Sequence, residues 1–395
     1  MLDILSLIGR NSPLFDEDLE KLEVEMCQIV SSSSFLVLGG AGSIGQAVVK
    51  EIFSRNPQKL HVVDLNENNL TELVRDIRSS FGYISGDFQT FALDIGSTIY
   101  DAFIEADGKF DYVLNLSALK HVRSEKDPFT LMRMIEVNIL NTEKTILQSI
   151  QKGTRKYFSV STDKAANPAN LMGATKRIME LFLANHSAKI QISAARFANV
   201  AFSDGSLLAG FENRFLKNQP IVAPNDIKRY FITPQESGQL CLLSCIFGNN
   251  RDIFYPKMSE LDLRSFSELA IKFLSNKGLE AEICENEDQA RKNVQALKLI
   301  GKYPCLFTQS DTTGEKEIEE FHTELEQINI DRFDTIGIVK NSGERNSDDL
   351  NHFLEQIAKL KKNNQWKKAE LVILIKKLIP EMNYADNGKY LDAKM

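Results

Sequence analysis

Residues 35–45 read FLVLGGAGSIG, four apolar residues followed by a glycine-rich turn. The apolar run predicts a buried strand, and the amphipathic stretch after the turn predicts a helix. Gly39, Gly42 and Gly45 allow a tight turn, a close approach of the backbone to a phosphate, and close packing of the helix on the strand. The free N–H groups at the start of that helix can then bind a pyrophosphate. The stretch therefore predicts the phosphate-binding turn of a dinucleotide-binding fold.

Short β-rich runs alternate with helical stretches from this turn onward. The runs are FLVL, LHVVDL, QTFALDI, DYVLNLSA, KYFSVST and IQISAARF. Such alternation predicts an α/β fold of Rossmann type, a doubly wound parallel sheet of six strands with helices on both faces. The alternation ends at Asn199. We therefore expect an N-terminal helical extension (1–34), a Rossmann domain (35–199), a smaller mixed α/β substrate-binding region (200–325) and a mostly helical C-terminal extension (326–395).

The ends of the predicted strands indicate which dinucleotide binds, since ligands of open α/β sheets lie at the carboxyl ends of strands. The second strand ends at Asp64, 19 residues after Gly45. An acid at this distance binds the ribose hydroxyls of NAD and repels the 2′-phosphate of NADP, although a turn residue is the alternative interpretation. The sequence favours NAD as cofactor. The other predicted cofactor contacts lie in the glycine turn or after the third and fourth strands: Gly39, Gly42, Ser43, Ile44, Gly45, Asp94, Ile95, Leu116, Ser117 and Ala118.

Two short segments carry side chains suited to proton transfer. STDK (161–164) follows the strand KYFSV, and MGATK (172–176) opens a helix. The methionine and the lysine of the second segment are four residues apart, so they share one face of that helix. In the first segment Asp163 stands beside Lys164 and offers an acid next to an amine, with a loop ion pair as the alternative.

Together these motifs resemble the extended short-chain dehydrogenases/reductases, and in particular the bacterial UDP-N-acetylglucosamine 4,6-dehydratases of surface-glycan synthesis. The resemblance covers nearly all of residues 35–325. Further matching motifs are ALKHV (118–122), RFANV (196–200), RYFIT (229–233), FYPKM (254–258) and GEK (314–316). The wider family uses a Tyr-x-x-x-Lys pair, in which the tyrosine is the base. Here Lys176 matches the lysine, and Met172, whose thioether cannot transfer a proton, stands at the tyrosine position as in that subgroup.

The resemblance implies a reaction in three steps. The C4 hydroxyl of the sugar is oxidised by hydride transfer to NAD, water is lost across C5 and C6, and the hydride returns to C6. By analogy with dTDP-glucose dehydratases, Asp163 protonates the departing hydroxyl and Lys164 takes the C5 proton. The C4 hydroxyl could lose its proton to Thr162, to Asp163, or to Lys176 through a water. Our hypothesis is that Lys176 holds the nicotinamide ribose while Thr162 and a water carry the proton.

The resemblance also implies contacts to the substrate. These residues are Lys120, Asn199, Arg229, Lys257 and Glu315. Asn199 is expected near the nucleotide diphosphate, and Arg229 on a phosphate, with a structural salt bridge as the alternative for Arg229. The nucleotide itself, UDP, GDP or dTDP, is left open by the sequence.

The composition is that of an ordinary soluble globular protein. The net charge of −7 over 395 residues argues against a nucleic-acid partner, and no apolar run reaches the ~18–20 residues that span a bilayer. The five cysteines and five histidines are scattered, so no metal site is expected. We expect a cytoplasmic homo-oligomer that binds a nucleotide sugar and dehydrates it. The alternatives are a nucleotide-sugar C4 or C5 epimerase, a plain dehydrogenase and a non-catalytic NAD-binding regulator.

Overall fold

The computed structural model describes residues 3–311, 313–341 and 347–389, so parts of both predicted terminal extensions lie outside it. The strands are β1 (Ser34–Leu38), β2 (Lys59–Asp64), β3 (Asp87–Ala92), β4 (Tyr112–Asn115), β5 (Lys156–Thr162), β6 (Gln191–Phe197), β7 (Asn199–Val200), β8 (Ile221–Pro224), β9 (Lys228–Arg229), β10 (Phe231–Ile232), β11 (Asp252–Pro256), β12 (Arg264–Ser265), β13 (Glu280–Ile283), β14 (Lys302–Thr308), β15 (Gln327–Asn329) and β16 (Ile336–Lys340). The α-helices are α1 (Ile4–Leu7), α2 (Asp16–Ser31), α3 (Ser43–Phe53), α4 (Glu67–Ser80), α5 (Thr98–Asp107), α6 (Pro128–Ile135), α7 (Asn141–Gln151), α8 (Leu171–His186), α9 (Leu207–Leu216), α10 (Pro234–Phe247), α11 (Phe266–Asn276), α12 (Glu287–Leu299), α13 (Ser347–Asn363) and α14 (Lys368–Leu378).

The predicted doubly wound sheet forms the centre of the molecule. Its strands run in the order β3-β2-β1-β4-β5-β6, and all neighbours among these six are parallel. The strands inside the sheet are buried, because helices cover both faces of a parallel sheet, and β3 at the edge is partly exposed. The strand order reverses direction between β1 and β4. A crevice opens at such a point beside the carboxyl ends of the strands, which is where ligands bind in this fold.

Three further strands extend the sheet beyond the six that were predicted. β11 pairs in parallel with β6, and β16 and β15 follow as antiparallel strands at the edge. The segments that carry them lie after Asn199, where the sequence alternation ends. The helix before β11 is α10, which is buried on nearly all sides and packs so closely on α3 that a Cβ at Gly238 would lie 2.7 Å from the Ala47 carbonyl carbon. A helix without a polar face gives no periodic signal in the sequence. The sequence therefore did not predict that the chain after α10 adds β11 to the large sheet.

The second lobe is a smaller mixed α/β unit, as predicted. Its three-stranded parallel sheet has the order β13-β14-β8, with α9, α11 and α12 packed beside it. Its core contains Phe211, Phe273 and Tyr303, and α1 adds Leu7 to the same cluster. Two short ribbons, β7 with β10 and β9 with β12, connect this lobe with the ends of the large sheet.

The terminal segments pack on the large sheet and its helices. Met26 and Val30 of α2 belong to the main core. Helices α13 and α14 cover α6 and α8 and form a separate core that includes Phe353 and Ile375. The helical C-terminal extension is confirmed for its described residues. In the three described ranges, none of the helices combines the length and the apolar character needed to traverse a bilayer.

Candidate active site

A cleft of about 570 Å³ lies between the carboxyl ends of the central strands and the second lobe. It gathers most of the predicted site: Gly39, Gly42, Ser43, Ile44, Gly45, Leu116, Ala118, Lys120, Thr162, Asp163, Lys164, Met172, Lys176 and Asn199. A smaller pocket of about 230 Å³ shares the glycine turn with it and is lined by Asp64, Asp94, Ile95 and Ser117. The predicted cofactor residues therefore lie along one continuous surface.

The glycine turn is shaped by close contacts with its own fold. Gly39 has φ +73°, and a Cβ there would lie 2.7 Å from the Ser117 amide nitrogen. A Cβ at Gly45 would lie 2.2 Å from the Gly39 carbonyl oxygen. At Gly42, in contrast, the nearest of these contacts is at 3.7 Å, so a methyl group there would occupy the cleft. The first and third glycines are required by the fold, and the second leaves room for a bound phosphate.

Asp64 is placed where the ribose of a dinucleotide would lie. Its carboxylate accepts hydrogen bonds from the backbone N–H groups of Ala41 and Asn66, both at 2.9 Å. Asp94 lies in the same pocket, 3.6 Å from the guanidinium of Arg133. Arg133 was not predicted, because it comes from the last turn of α6 and no motif marks it. The acidic end of this pocket fits ribose hydroxyls better than a further phosphate.

Lys176 lies at the centre of the cleft on α8. Its ammonium donates to the Val160 carbonyl oxygen at 3.0 Å, and the residue is buried. Burial lowers the pKa of Lys176 to about 8. Met172, one turn earlier, is also buried and lines the same cleft. The side chain at position 172 is thus a thioether that lines the cleft and carries no transferable proton, while the sulfur that lies near the Lys176 ammonium, at 3.8 Å, is that of Met179.

Glu125 is a buried carboxylate that sequence analysis missed. Its Oε1 accepts the backbone N–H of Met172 at 2.8 Å, at the start of α8. Burial raises the pKa of Glu125 to about 7, although backbone hydrogen bonds from Met172 and Leu171 oppose the shift. It lies in the charged run RSEKDP, which reads as a solvated loop. Glu125 fixes the position of the helix end that presents Met172.

Thr162, Asp163 and Lys164 form a hydrogen-bonded group at the end of β5. The Thr162 hydroxyl donates to Asp163 Oδ1 at 2.8 Å. The same oxygen accepts the Lys164 backbone N–H at 2.8 Å and its ammonium at 3.1 Å. A threonine hydroxyl, a carboxylate and an ammonium are therefore connected within one turn of chain, on the wall of the cleft.

A second missed carboxylate, Glu319, lies on the other side of Lys164. Its Oε1 is 3.7 Å from the Lys164 ammonium, and its side chain is 3% exposed. Glu319 belongs to the charged segment GEKEIEEF, whose pattern is typical of a surface loop. Only the folded chain brings it to Lys164, 155 positions earlier in the sequence.

A buried ionic network lies beneath this group. Glu180 accepts the Ser161 hydroxyl at 2.6 Å and a bidentate pair of bonds from Arg196 at 2.8 and 2.9 Å. Arg196 also donates to the Phe321 carbonyl oxygen and to Glu326. The network connects β5, α8 and β6 with the segment that carries Glu319. It also engages the Ser161 hydroxyl, whereas the Thr162 hydroxyl donates to Asp163.

The predicted substrate residues divide into two groups. Lys120 and Asn199 lie in the cleft, where Lys120 donates to the Ser203 hydroxyl at 3.3 Å and Asn199 donates to the Tyr230 carbonyl oxygen at 3.4 Å. Burial lowers the pKa of Lys120, while the charge of Asp204 opposes this. Both residues are positioned to meet a ligand that enters between the lobes.

Arg229, Glu315 and Lys257 are not among the residues that line this cleft. The buried Arg229 guanidinium pairs with Glu315 and donates to the Glu317 carbonyl oxygen, so the salt bridge that was the alternative is what the structure contains. The Lys257 ammonium donates to three backbone carbonyl oxygens, those of Ile330, Phe333 and Asp334. It holds a loop next to β11, because the β11–β16 edge brings that loop within its reach.

Several proteins are similar to this chain in sequence. An uncharacterized membrane protein of Methanocaldococcus jannaschii is 30% identical over 323 residues, which is 80% of this chain and 88% of that protein. The inverting UDP-N-acetylglucosamine 4,6-dehydratase of Campylobacter jejuni is 26% identical and covers 62% of this chain and 73% of its own length. UDP-glucose 4-epimerase of Rickettsia rickettsii is 28% identical, over 57% of this chain and 66% of its own.

Solved structures share the fold. Pen from Bacillus thuringiensis superposes with a TM-score of 0.64 at 21% identity, covering 83% of this chain and 98% of that one. The UDP-Glc/GlcNAc 4-epimerase of Campylobacter jejuni gives a TM-score of 0.55 at 17% identity, over 74% of this chain and 91% of that one. Residues 35–341 match the family described as polysaccharide biosynthesis protein, which confirms the resemblance drawn from the motifs. The chain belongs to this polysaccharide biosynthesis protein family.

Proposed function

We propose that this protein is an NAD-dependent 4,6-dehydratase of a nucleotide-activated amino sugar, UDP-N-acetylglucosamine in the first place, and that it serves surface-glycan synthesis. The observation that carries the proposal is the hydrogen-bonded group of Thr162, Asp163 and Lys164 beside Lys176, in one cleft with the glycine turn. The loss of water across a C–C bond requires an acid for the leaving oxygen and a base for the carbon-bound proton, and Asp163 and Lys164 supply one group for each role. Similarity to a UDP-N-acetylglucosamine 4,6-dehydratase over 62% of the chain supports the same reaction.

The residues around the glycine turn fit NAD. Gly42 leaves space for the pyrophosphate, the N–H groups at the start of α3 face it, and Asp64 can accept the ribose hydroxyls. Lys176 would hold the nicotinamide ribose with its buried amine. The nicotinamide, when bound, would supply the hydride acceptor for C4 and the hydride donor for C6. The chain's own residues must therefore supply the proton transfers.

Asp163 can receive a proton in the oxidation at C4 and deliver it in the loss of water at C6. The C4 hydroxyl gives its proton to the Thr162 oxygen as the Thr162 proton passes to Asp163 Oδ1, 2.8 Å away. Asp163 is then a neutral acid. In the second step the O–H bond of Asp163 breaks, its proton joins the C6 oxygen, and water leaves. Met172 takes no part in this relay, which answers why the reaction can proceed without a tyrosine.

Lys164 handles the proton at C5. In the elimination the C5–H bond breaks, the proton forms an N–H bond on Lys164, and the electron pair forms the C5–C6 double bond as C6 loses its oxygen. After C6 has received its hydride, Lys164 returns a proton to C5. The net change is loss of one water molecule from the sugar, with no net oxidation or reduction. Both residues act on the wall of the same cleft.

Incubation with UDP-N-acetylglucosamine in deuterated water, followed by NMR, tests this function. We expect a 4-keto-6-deoxy sugar that carries deuterium at C5, without accumulation of reduced cofactor. GDP- and dTDP-linked sugars serve as comparisons, because the nucleotide is part of the proposal. Absence of a dehydrated product from every sugar, with NAD bound, would contradict it.

A nucleotide-sugar epimerase is the second candidate, favoured by the similarity to UDP-glucose 4-epimerase. In the same NMR experiment an epimerase yields a sugar of unchanged mass with an inverted centre and no lost water. A plain dehydrogenase would release reduced cofactor in stoichiometric amount, and a regulator would yield no product. The proposed cytoplasmic location and homo-oligomeric state are tested by cell fractionation and by light scattering of the purified protein.

A further inference from the structure

Lys164 lies between two carboxylates. Its ammonium is 3.1 Å from Asp163 Oδ1 and 3.7 Å from Glu319 Oε1, and its side chain is 19% exposed. Burial favours the neutral amine, but the charges of Asp163 and Glu319 outweigh it and raise the pKa of Lys164. Lys164 is therefore an ammonium ion at neutral pH. An ammonium ion has no lone pair with which to take the C5 proton.

Glu319 has the properties of a group that can take a proton from the Lys164 ammonium. Its Oε2 is buried and has no hydrogen-bond partner within the described ranges. The charged groups that face it are Lys164, Asp163, Arg229 and Lys316. Burial raises the pKa of Glu319 and Asp163 adds to this, while the three cations oppose it. A carboxylate that is buried, partly unpaired and ion-paired with an ammonium at 3.7 Å can accept a proton once the two groups close to hydrogen-bond distance or are joined by one water.

Glu319 also connects two cavities. On one side it contacts Lys164, which lines the 570 Å³ cleft. On the other side it lines a second cavity of about 1060 Å³, between residues 318–325 and the loop after β11. Leu325, which is 95% exposed, lies on the rim of that cavity, so the cavity opens to solvent. A proton on Glu319 therefore has a route to water that does not pass through the sugar site.

We propose that Glu319 is the positioning residue that takes the excess proton of Lys164 and so makes the lysine a base; this rests on the proposed function. An N–H bond of Lys164 breaks, an O–H bond forms on Glu319, and an ion pair becomes a neutral amine and a neutral acid. A sugar that fills the cleft excludes water and favours the neutral pair, because desolvation penalises both charges. After Lys164 has returned a proton to C5, Glu319 gives its proton back to the amine or to solvent in the second cavity.

The variant Glu319→Gln tests this, because glutamine keeps the size of the side chain and cannot take the proton. Glu320→Gln is the matched control, since Glu320 is the exposed neighbour on the same cavity, accepts a hydrogen bond from Asn167, and has no ion pair with Lys164 in the described residues. Three quantities are measured on the NAD-bound proteins: the thermal midpoint, the rate of the first hydride transfer from the absorbance of reduced nicotinamide, and the rate of deuterium incorporation at C5 as a function of pH.

We expect Glu319→Gln to retain its thermal midpoint and its first hydride transfer, and to lose about 100-fold in the C5 step at neutral pH. Its C5 rate should rise about tenfold per pH unit above neutrality, because Lys164 must then lose its proton to solvent. The wild type and the control should lack this rise, and Glu319→Asp should recover part of the rate.

Two results would overturn the inference. One is a Glu319→Gln protein with the wild-type C5 rate and pH profile. The other is an equal loss in both steps, which would mean that Glu319 only supports the structure. If the wild-type protein dehydrated no nucleotide sugar, the proposed function would be overturned instead. Wild-type dehydration is therefore measured first, before any variant.

Discussion

The buried network around Arg196 allows a quantitative prediction. Arg196 and Glu180 are both fully buried and joined by two hydrogen bonds, and Glu326, 9% exposed, binds the same guanidinium. Arg177 binds both carboxylates as well, but its side chain is 15% exposed. The change Arg196→Met keeps an unbranched apolar side chain and removes the charge, which leaves two carboxylates facing each other without their main partner.

The size of the effect follows from Glu180. Burial by itself would raise the pKa of Glu180, but the charge and hydrogen bonds of Arg196, helped by Arg177 and Ser161, lower it to about 2 from 4.5. At ~1.4 kcal/mol per pKa unit this depression represents about 3 kcal/mol of stability at neutral pH. Removal of one partner of a buried ion pair typically costs ~3–5 kcal/mol. Both routes predict a loss of about 3–5 kcal/mol for Arg196→Met.

Urea unfolding followed by circular dichroism at several pH values measures this. In the wild type, Glu180 has a depressed pKa, so its contribution is present above 4.5 and is lost as the pH falls towards 2. In Arg196→Met the two buried carboxylates share only the partly exposed Arg177, so their pKa values should rise and the free energy of unfolding should increase as the pH falls from 7 to 5. Arg177→Met is the control and should cost less, because Arg177 is partly solvated. A loss below ~1 kcal/mol with the pH dependence of the wild type would refute the reasoning.

Three further predictions concern the cleft. Gly42→Ala should weaken NAD binding, measured by calorimetry, roughly tenfold, because its methyl group enters the cleft, and the thermal midpoint should not change. Gly45→Ala should in addition destabilise the fold by ~1–3 kcal/mol, because its methyl group meets a backbone oxygen. Lys176→Met should abolish turnover. Because burial lowers the pKa of Lys176 from 10.5 to about 8, the same change should raise the free energy of unfolding at pH 7 by up to about 3 kcal/mol. It should also remove the rise in stability that the wild type is expected to show between pH 8 and 10.5. Thr162→Val should slow the first hydride transfer about 100-fold in stopped-flow measurements, whereas Met172→Leu should stay within about threefold of the wild-type rate. If both variants changed this rate equally, the result would argue against the hydroxyl relay.

The central part of the fold could be predicted because its signals are local. A buried strand, a glycine turn and a helix start are adjacent in residues 35–54, and the acid at Asp64 follows within one strand. The same holds for the STDK segment at the end of β5. Each of these positions is defined by the strand or helix that it ends or begins, so the fold brings them together once the strand order is known.

The parts that could not be predicted depend on contacts between distant segments. Glu125 and Glu319 lie in charged runs that read as solvated loops, and only the tertiary structure buries them. The stretch from Pro128 to Gln151 reads as one helix, but it contains a π-helical turn at Glu136–Leu140. That turn presents Asn138, whose amide bonds both the N–H and the carbonyl of Leu119 beside the cleft. A local distortion of this kind carries no periodic signature in the sequence.

In the proposed mechanism the reaction needs no tyrosine at position 172, because other groups carry the protons. They are concentrated at the end of β5, where Thr162 and Asp163 can pass a proton within hydrogen-bond distance, and α8 contributes mainly the amine of Lys176. Such an arrangement works only if β5 and α8 keep a fixed relation. Ser161, one residue before this group, is bonded to Glu180 of α8, and Glu180 is bonded to Arg196 of β6. The buried charges are therefore placed where rigidity matters for proton transfer, and their replacement should change the rate of the chemistry as well as the stability of the fold.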